Sequence, residues 1–457
     1  MSEGLGRITT FPKVVNQPPI DFVERNWLKE KVEQLRNDSN KRQLTIVGEP
    51  GSGKTTFMAS LAREWNCPCH FIRVDSIGGV TGVDPRAFLL SIGSQLYQKY
   101  GSEIFDRGIS SSTEIKVEIA QDSATVVGRL IDELYTLPFL PISERTISVE
   151  VKRAYGQSQI VGEHINRLYN VALALDELTL LHVVLINPLK KLQILYPEET
   201  VLILIDAIDE SLQHQGKKIT DIIPKVSDAD FPANLRLLMT SRRGEHLSRF
   251  RDKDLFYLDD RPELLIDVKA YINKRLAESP LSEVIALWNH YEVVIYMTEI
   301  EKNSDGNFLY LYHFFNQLIE DIKAGKTELR QLVIPNGLDD IYQVFVIDKI
   351  KAKAEDRKEW LRIYLPLLGV LAVIREPIGR EQLAKFAGVE VETADCLIAE
   401  LEQFLDVIVD EIENRYQLYH NSFSEYLLDS SRNRKYPLNR VKYHVELYLI
   451  TAVTLVI

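Results

Sequence analysis

Two stretches of the chain combine residue types and spacing able to do chemistry on a polyphosphate. The first is GEPGSGKT: Gly48, Glu49, Pro50, Gly51, Ser52, Gly53, Lys54 and Thr55, followed by Thr56. The apolar run LTIV precedes it and the helical pattern TTFMASLAREW follows it, the context a phosphate loop requires. Gly51 and Gly53 let the backbone curl so that successive N–H groups face one concavity, to which the next helix adds its positive end. Lys54 is placed to reach β- and γ-phosphates, and the Thr55 hydroxyl to take one position on a Mg²⁺ ion that keeps most of its waters.

The second stretch, VLILIDAIDE (Val201 to Glu210), is an apolar strand that ends in three acids. A sheet strand delivers such groups to its C-terminal edge, beside the phosphate loop. Asp206 is the expected Mg²⁺ partner, and Asp209 or Glu210 the group that orients and deprotonates an attacking water. A third apolar run, LRLLMTSRR (Leu235 to Arg243), carries Thr240, Ser241 and Arg242 to the same edge, as the strand between the two motif strands. Arg242 is the candidate sensor of the γ-phosphate. Cys67, Cys69 and His70 contain soft and borderline metal ligands, but a single C-x-C-H entering a strand sends alternate side chains to opposite faces, so packing is expected.

These groups need a sheet to hold them. The apolar runs at 44–47, 70–74, 201–205, 235–240 and 255–258 lack strict alternation, as strands buried on both faces do, and predict an α/β fold with a five-stranded parallel sheet. A helix is expected from about Arg25 to Leu35. Between the second and third runs lie about 125 residues where a crossover needs about 30, so an insertion at about 105–170 is expected. Within it IKVEIAQDSATVVGRLI (115–131) is weakly echoed by ISVEVKRAYGQSQIVGEHI (147–165), each with alternation and a Val-Gly step. Either β-hairpins with chance similarity or a dedicated partner-binding element fits that pattern. From 263 to 353 the period is helical. From 354 to 430 three helices, a hairpin near Glu413 and a last helix make a winged-helix pattern, and 431–457 read as a basic linker and an apolar helix.

The chain has 457 residues with net charge −12, so a general nucleic-acid binder is disfavoured. Three cysteines suit a reducing cytosol, and the start MSEGLGRITTFPK lacks the apolar core of a signal peptide. No run of about 18 apolar residues is evident, and the closing HVELYLITAVTLVI is interrupted by Glu446, so no membrane is expected as a partner.

With these motifs together the chain resembles the STAND class of P-loop NTPases, its NACHT branch more than NB-ARC, over about residues 20–430. GEPGSGKT, the acids Asp206, Asp209 and Glu210, and the TSR of Thr240 to Arg242 are similar to the family's. FVER resembles the family's adenine-side motif, with Glu24 where a Gly is usual, which implies nucleotide contacts from Phe22 and Val23. PNGLDDIY and YHNSFSEYL are similar to the helical lid and winged-helix modules, which implies that His420 meets the β-phosphate of ADP. The implied organisation is an arm (1–19), a NACHT-type domain (20–262), a lid (263–353), a winged helix (354–430), and a linker leading into a truncated helical repeat (431–457). The resemblance implies a cytoplasmic ADP/ATP switch with slow hydrolysis and Mg²⁺, serving prokaryotic-type signalling or defence. Homo-oligomerisation on activation, and a protein partner supplying effector or sensor function, are expected with it. The alternative is an AAA+ type ATPase of DNA replication or transcription regulation. Against it, residues 390–413 carry nine acids and no Lys, Arg or His, a face duplex DNA repels.

Overall fold

The computed structural model describes residues 22–445 except 73–75, 78–79, 82, 106–112, 121–124, 137–146, 155–158, 171–175, 214–217, 224–230, 327–328, 330–331, 353, 375 and 410–412. The arm expected at 1–19 and the closing apolar segment at 446–457 lie outside the described residues. Along the chain the strands used below are β1 (Gln43–Val47), β2 (Cys69–Phe71), β3 (Thr113–Ala120), β4 (Thr125–Thr136), β5 (Ile147–Ala154), β6 (Gln159–Asn170), β7 (Val201–Asp206), β8 (Leu235–Ser241), β9 (Leu255–Tyr257), β10 (Ile378–Gly379), β11 (Leu405–Val409) and β12 (Asn414–Leu418). The helices are α1 (Asn26–Asn37), α2 (Lys54–Trp65), α3 (Pro85–Tyr100), α4 (Glu177–Leu195), α5 (Glu263–Leu276), α6 (His290–Ser304), α7 (Phe308–Lys323), α8 (Leu365–Val373), α9 (Arg380–Ala387), α10 (Val391–Glu400) and α11 (Asn421–Leu428).

Five strands form one parallel sheet in the order β9-β1-β8-β7-β2. Every residue of β1, β7 and β8 is buried, which is why these strands read as continuous apolar runs. One face is covered by α1 and α2 through Leu28, Val32, Phe57 and Leu61, the other by α3 and α4 through Phe88, Leu89, Val184 and Leu189. The phosphate-loop strand and the acid-bearing strand are separated by β8, as the sequence led us to expect. This is a P-loop NTPase sheet.

By length and composition one described helix, α4, could span a bilayer. Leu180, Val184, Leu185 and Leu189 of this helix are buried in the sheet's core.

After β9 the helices α5 to α7 share a continuous apolar core with α8 to α11 and the antiparallel sheet β10-β12-β11. Aromatic rings join them: Tyr342 stacks on Phe423 at 4.7 Å between centroids, and His313 on Phe404 at 4.2 Å. Burial pushes the His313 imidazole down to about 3, so it packs as a neutral ring.

Among the described residues the insertion's strands do not pair as hairpins. β3 pairs in parallel with β5, and β4 with β6, so pairing runs between the two echoed segments and not within them. Both pairings hold one offset of 34 residues, Thr113 opposite Ile147 and Thr125 opposite Gln159. The Val-Gly step shared by the two echoed segments, Val127-Gly128 and Val161-Gly162, has that same offset.

The insertion's flanks belong to the core: Ile104 and Phe105 are buried, Lys191 donates to the Phe105 carbonyl at 3.4 Å, and Arg86 pairs with Glu177 at 3.1 Å. Replacing 108–173 with a flexible linker of about ten residues should therefore leave a cooperatively melting protein, since closing a surface loop costs little. A chain that aggregates or melts without cooperativity would place the insertion within the core.

Candidate nucleotide site

Val47 ends β1, and the loop turns into α2 with Gly51 at φ +84° and Gly53 at φ +80°, a region open to glycine. Space is equally restrictive. A Cβ on Gly51 would collide with the Asn307 side chain, and one on Gly53 would lie 2.8 Å from Arg25 Nη2. Both neighbours hold the loop by its carbonyls. Arg25 donates to Ser52 O at 2.8 Å and Asn307 Nδ2 to Pro50 O at 2.8 Å, while the amides of Phe308 and Leu309 donate to Gly51 O at 2.9 and 3.3 Å. Asp259 accepts from the Glu49 amide at 3.0 Å. Lys54 spends its donors on Gly48 O, Glu49 O and Ser52 Oγ at 2.7, 2.8 and 3.2 Å, and burial pulls its ammonium down to about 8.

Asp206 sits at the end of β7, fully inside. One carboxylate oxygen accepts from Thr55 Oγ1 at 2.7 Å and the other from Thr240 Oγ1 at 2.6 Å. Thr240 in turn accepts the Ala207 amide at 2.8 Å. Burial raises the Asp206 carboxyl above its ordinary range, against the pull of the two hydroxyls and of Lys54. Ala207 then takes φ +58°, the left-handed turn that starts the short 3₁₀ helix Ile208–Gln213 carrying Asp209 and Glu210.

Both acids meet partners from other elements. The Arg242 amide donates to Asp209 Oδ1 at 3.1 Å, and the Arg242 guanidinium lies 3.5 Å from Asp209 Oδ2 while also pairing with Glu425 of α11. Glu210 accepts from Asn421 Nδ2, also of α11, at 3.1 Å. Desolvation, with Asp209 adding to it, pushes the Glu210 carboxyl up to about 8.

The structure thus brings Gly48 to Thr56, Asp206, Asp209, Glu210 and Arg242 to one edge of the sheet. His420 caps α11 through Nδ1, which accepts the Ser422 amide at 3.1 Å and pairs with Ser422 Oγ at 2.7 Å. Its neighbour Asn421 is the residue that reaches Glu210. Phe22 and Val23 meet the helices after the sheet: the Phe22 carbonyl accepts from Lys274 at 3.2 Å, and Val23 packs against their core. Cys69 packs in the core beside α2, and His70 meets the Phe88 ring edge-on at 5.4 Å.

Sequence reasoning missed Arg25, Asn307, Asn421 and Glu425. Arg25 is buried with Asp267 at 3.5 Å, and its guanidinium also lies 4.6 Å from the Phe308 ring centroid. A polar residue opening an apolar helix, as in GNFLYL, signals a cap; only the folded chain reveals that Asn307 also grips the loop.

No family model matches the chain, and no curated protein matches it in sequence. Among solved structures it is similar to a STAND protein with a tetratricopeptide repeat sensor from Pyrococcus horikoshii, with TM-score 0.37 and 11% identity over 88% of this chain. This chain spans 42% of that protein's length. It is also similar to a Walker-type ATPase of Pyrococcus abyssi (TM-score 0.36, 12% identity, 88% and 95% of the two chains) and to Cdc6p from Pyrobaculum aerophilum (0.34, 10%, 97% and 98%). Strand order and the phosphate loop, not these distant likenesses, define the fold.

Because folding raises the Glu210 carboxyl, the folded chain holds this proton more tightly than the unfolded one. The stability so gained is present below the ordinary glutamate range and is lost as pH rises through about 8. Glu210→Gln removes the loss. The melting temperature of the variant minus that of wild type should be near zero at pH 4.5 and rise steadily to a plateau above pH 8; a difference that is flat with pH would show that Glu210 is not desolvated.

Proposed function

We propose that this chain is an ATP-binding, slowly hydrolysing switch of the STAND/NACHT type, in which the module of α8 to α11 holds the catalytic edge until ATP replaces ADP. The observation that carries the reading is α11: Asn421 engages Glu210 and Glu425 engages Arg242, so one helix occupies both an acid and the candidate sensor. On this reading 20–262 is the nucleotide-binding domain, 263–353 the lid and 354–430 a winged helix. Phe22 and Val23 line the adenine side and His420 meets the β-phosphate.

Thr55 Oγ1 and Asp206 Oδ2, 2.7 Å apart, form a hard-oxygen pair that suits Mg²⁺. These two residues would hold the ion, which when bound supplies charge neutralisation at the phosphates. The loop amides and Lys54 bind and orient the phosphates. Asp209, freed from Arg242, orients the attacking water and takes its proton, while Arg242 turns to the γ-phosphate. Release of α11 frees the modules for homo-oligomerisation and for a cytoplasmic effector or sensor protein.

Lys54→Ala should abolish ADP and ATP binding by calorimetry, and equal affinity in both proteins would remove the site assignment. Asp209→Asn should bind ATP normally and hydrolyse it at least about 100-fold more slowly. If Glu210→Gln has that effect and Asp209→Asn does not, the acids exchange roles.

The His420 contact is tested with His420→Asn, since asparagine also caps a helix and so preserves α11. ADP and the closed arrangement stabilise each other by the same free energy if the ring meets the β-phosphate. The ADP-induced rise in melting temperature should then be smaller in the variant than in wild type. An identical rise in both would leave His420 as a cap alone.

A further inference from the structure

We infer that Tyr342 and Ser422 are positioning residues for His420: they hold its ring neutral with the proton on Nε2, so that the ring offers a hydrogen-bond donor to a phosphate oxygen. The inference deepens the reading of His420 proposed above and rests on it only for the identity of the acceptor.

The cap of α11 fixes where the ring proton stands. His420 Nδ1 lies 3.1 Å from the Ser422 amide, and an amide N–H can only donate, so Nδ1 carries a lone pair. While α11 is capped, that excludes both the Nδ1–H tautomer and the imidazolium. The one ring proton is on Nε2. Ser422 Oγ, 2.7 Å from the same Nδ1, faces this lone pair and turns its hydrogen toward it. Its own lone pairs then accept from the Tyr342 hydroxyl at 2.7 Å. One amide thus orders a chain of donors that runs from phenol through hydroxyl to imidazole.

Burial makes that order hard to reverse. Tyr342 is fully buried, its ring stacked on Phe423 at 4.7 Å between centroids and tilted against Tyr426 at 5.5 Å, and Ser422 is buried beside it. Among the described residues Ser422 Oγ is the one partner of the Tyr342 hydroxyl, and a buried phenol without an acceptor would be a costly orphan. Tyr342 belongs to the helical stretch 337–351, ahead of the segment that carries His420. Two parts of the chain therefore set this ring.

The choice of residue points the same way. Ser, Thr, Asp or Asn is the usual cap, whereas a histidine caps with one nitrogen and keeps a second on the far side of a rigid ring. The neighbouring Asn421 reaches Glu210 at 3.1 Å, so the ring stands one residue from the catalytic edge. Phosphate oxygens that bear no proton only accept. A donor at Nε2 suits them, and the lone pair of the other tautomer would repel them.

Full-length protein labelled with ¹⁵N-histidine, studied without nucleotide, reports the tautomer directly, because protonated and unprotonated ring nitrogens resonate far apart. The signals lost in His420→Asn assign this ring among the nine histidines. Wild type should show an unprotonated Nδ1 and a protonated Nε2. Tyr342→Phe, which keeps the buried ring, and Ser422→Ala should each move the tautomer ratio toward Nδ1–H about fivefold, the scale of one neutral hydrogen bond. A protonated Nδ1 in wild type, or a ratio unmoved in both variants, would overturn the inference. Calorimetry with ADP separates positioning from packing. Tyr342→Phe should weaken ADP about twofold, because the truncated chain polarises Nε2–H less, and should cost nothing further in the His420→Asn background. An equal loss in both backgrounds would make Tyr342 a packing residue alone and overturn its role here. If the tautomer shifts as stated while His420→Asn binds ADP as tightly as wild type, the positioning stands and the phosphate contact proposed for His420 falls.

Discussion

The Asp206 carboxylate is the interaction on which the site depends. A carboxylate inside a sheet costs several kcal/mol unless its lone pairs are used, and here Thr55 and Thr240 use one oxygen each. Those hydroxyls belong to the helix after β1 and to β8, so the carboxylate cross-links the three central elements at one point. Thr240 also receives the Ala207 amide, which holds a left-handed turn worth about 1–3 kcal/mol of strain and so aims Asp209 and Glu210 away from the sheet. A Thr at 55 thus serves the folded sheet as well as the proposed Mg²⁺.

Contacts from outside the sheet differ in strength according to solvent access. Arg25 and Asp267 have side chains only 5% and 6% exposed, and removing either would strand a buried charge. Arg242 and Glu425 are 24% and 39% exposed, where screening keeps an ion pair near the modest values of surface pairs. The loop's grip by Arg25 and Asn307 is therefore the lasting one, and the hold of α11 on the acids is the one that competes on even terms with a ligand.

The phosphate loop and the buried strands were legible because their physics is local: glycines for positive φ, unbroken apolar runs for strands covered on both faces. Strand order followed from the two motifs, since β8 had to lie within reach of both. Arg25 was not legible as a loop anchor, because its partners Ser52 and Asp267 lie 27 and 242 positions away and nothing in FVER distinguishes a buried arginine from an exposed one. The pairing of the insertion was hidden for another reason. Period-two alternation fits a hairpin and a parallel stack equally.

The sheet's order also decides where its appendages leave. β9 forms one edge and leads into α5, while β2 forms the other and begins the crossover that holds the insertion, about 19 Å away at the usual strand spacing. The helical modules follow the strand at one edge, and the insertion lies between α3 and α4, which follow the strand at the other. Asp206 nevertheless touches both sides of this arrangement: its side chain meets the loop and β8, and its carbonyl accepts the Ile72 amide at 3.1 Å, just past the end of β2. One residue thus ties the phosphate loop and β8, through its side chain, to the residue just past β2, through its carbonyl.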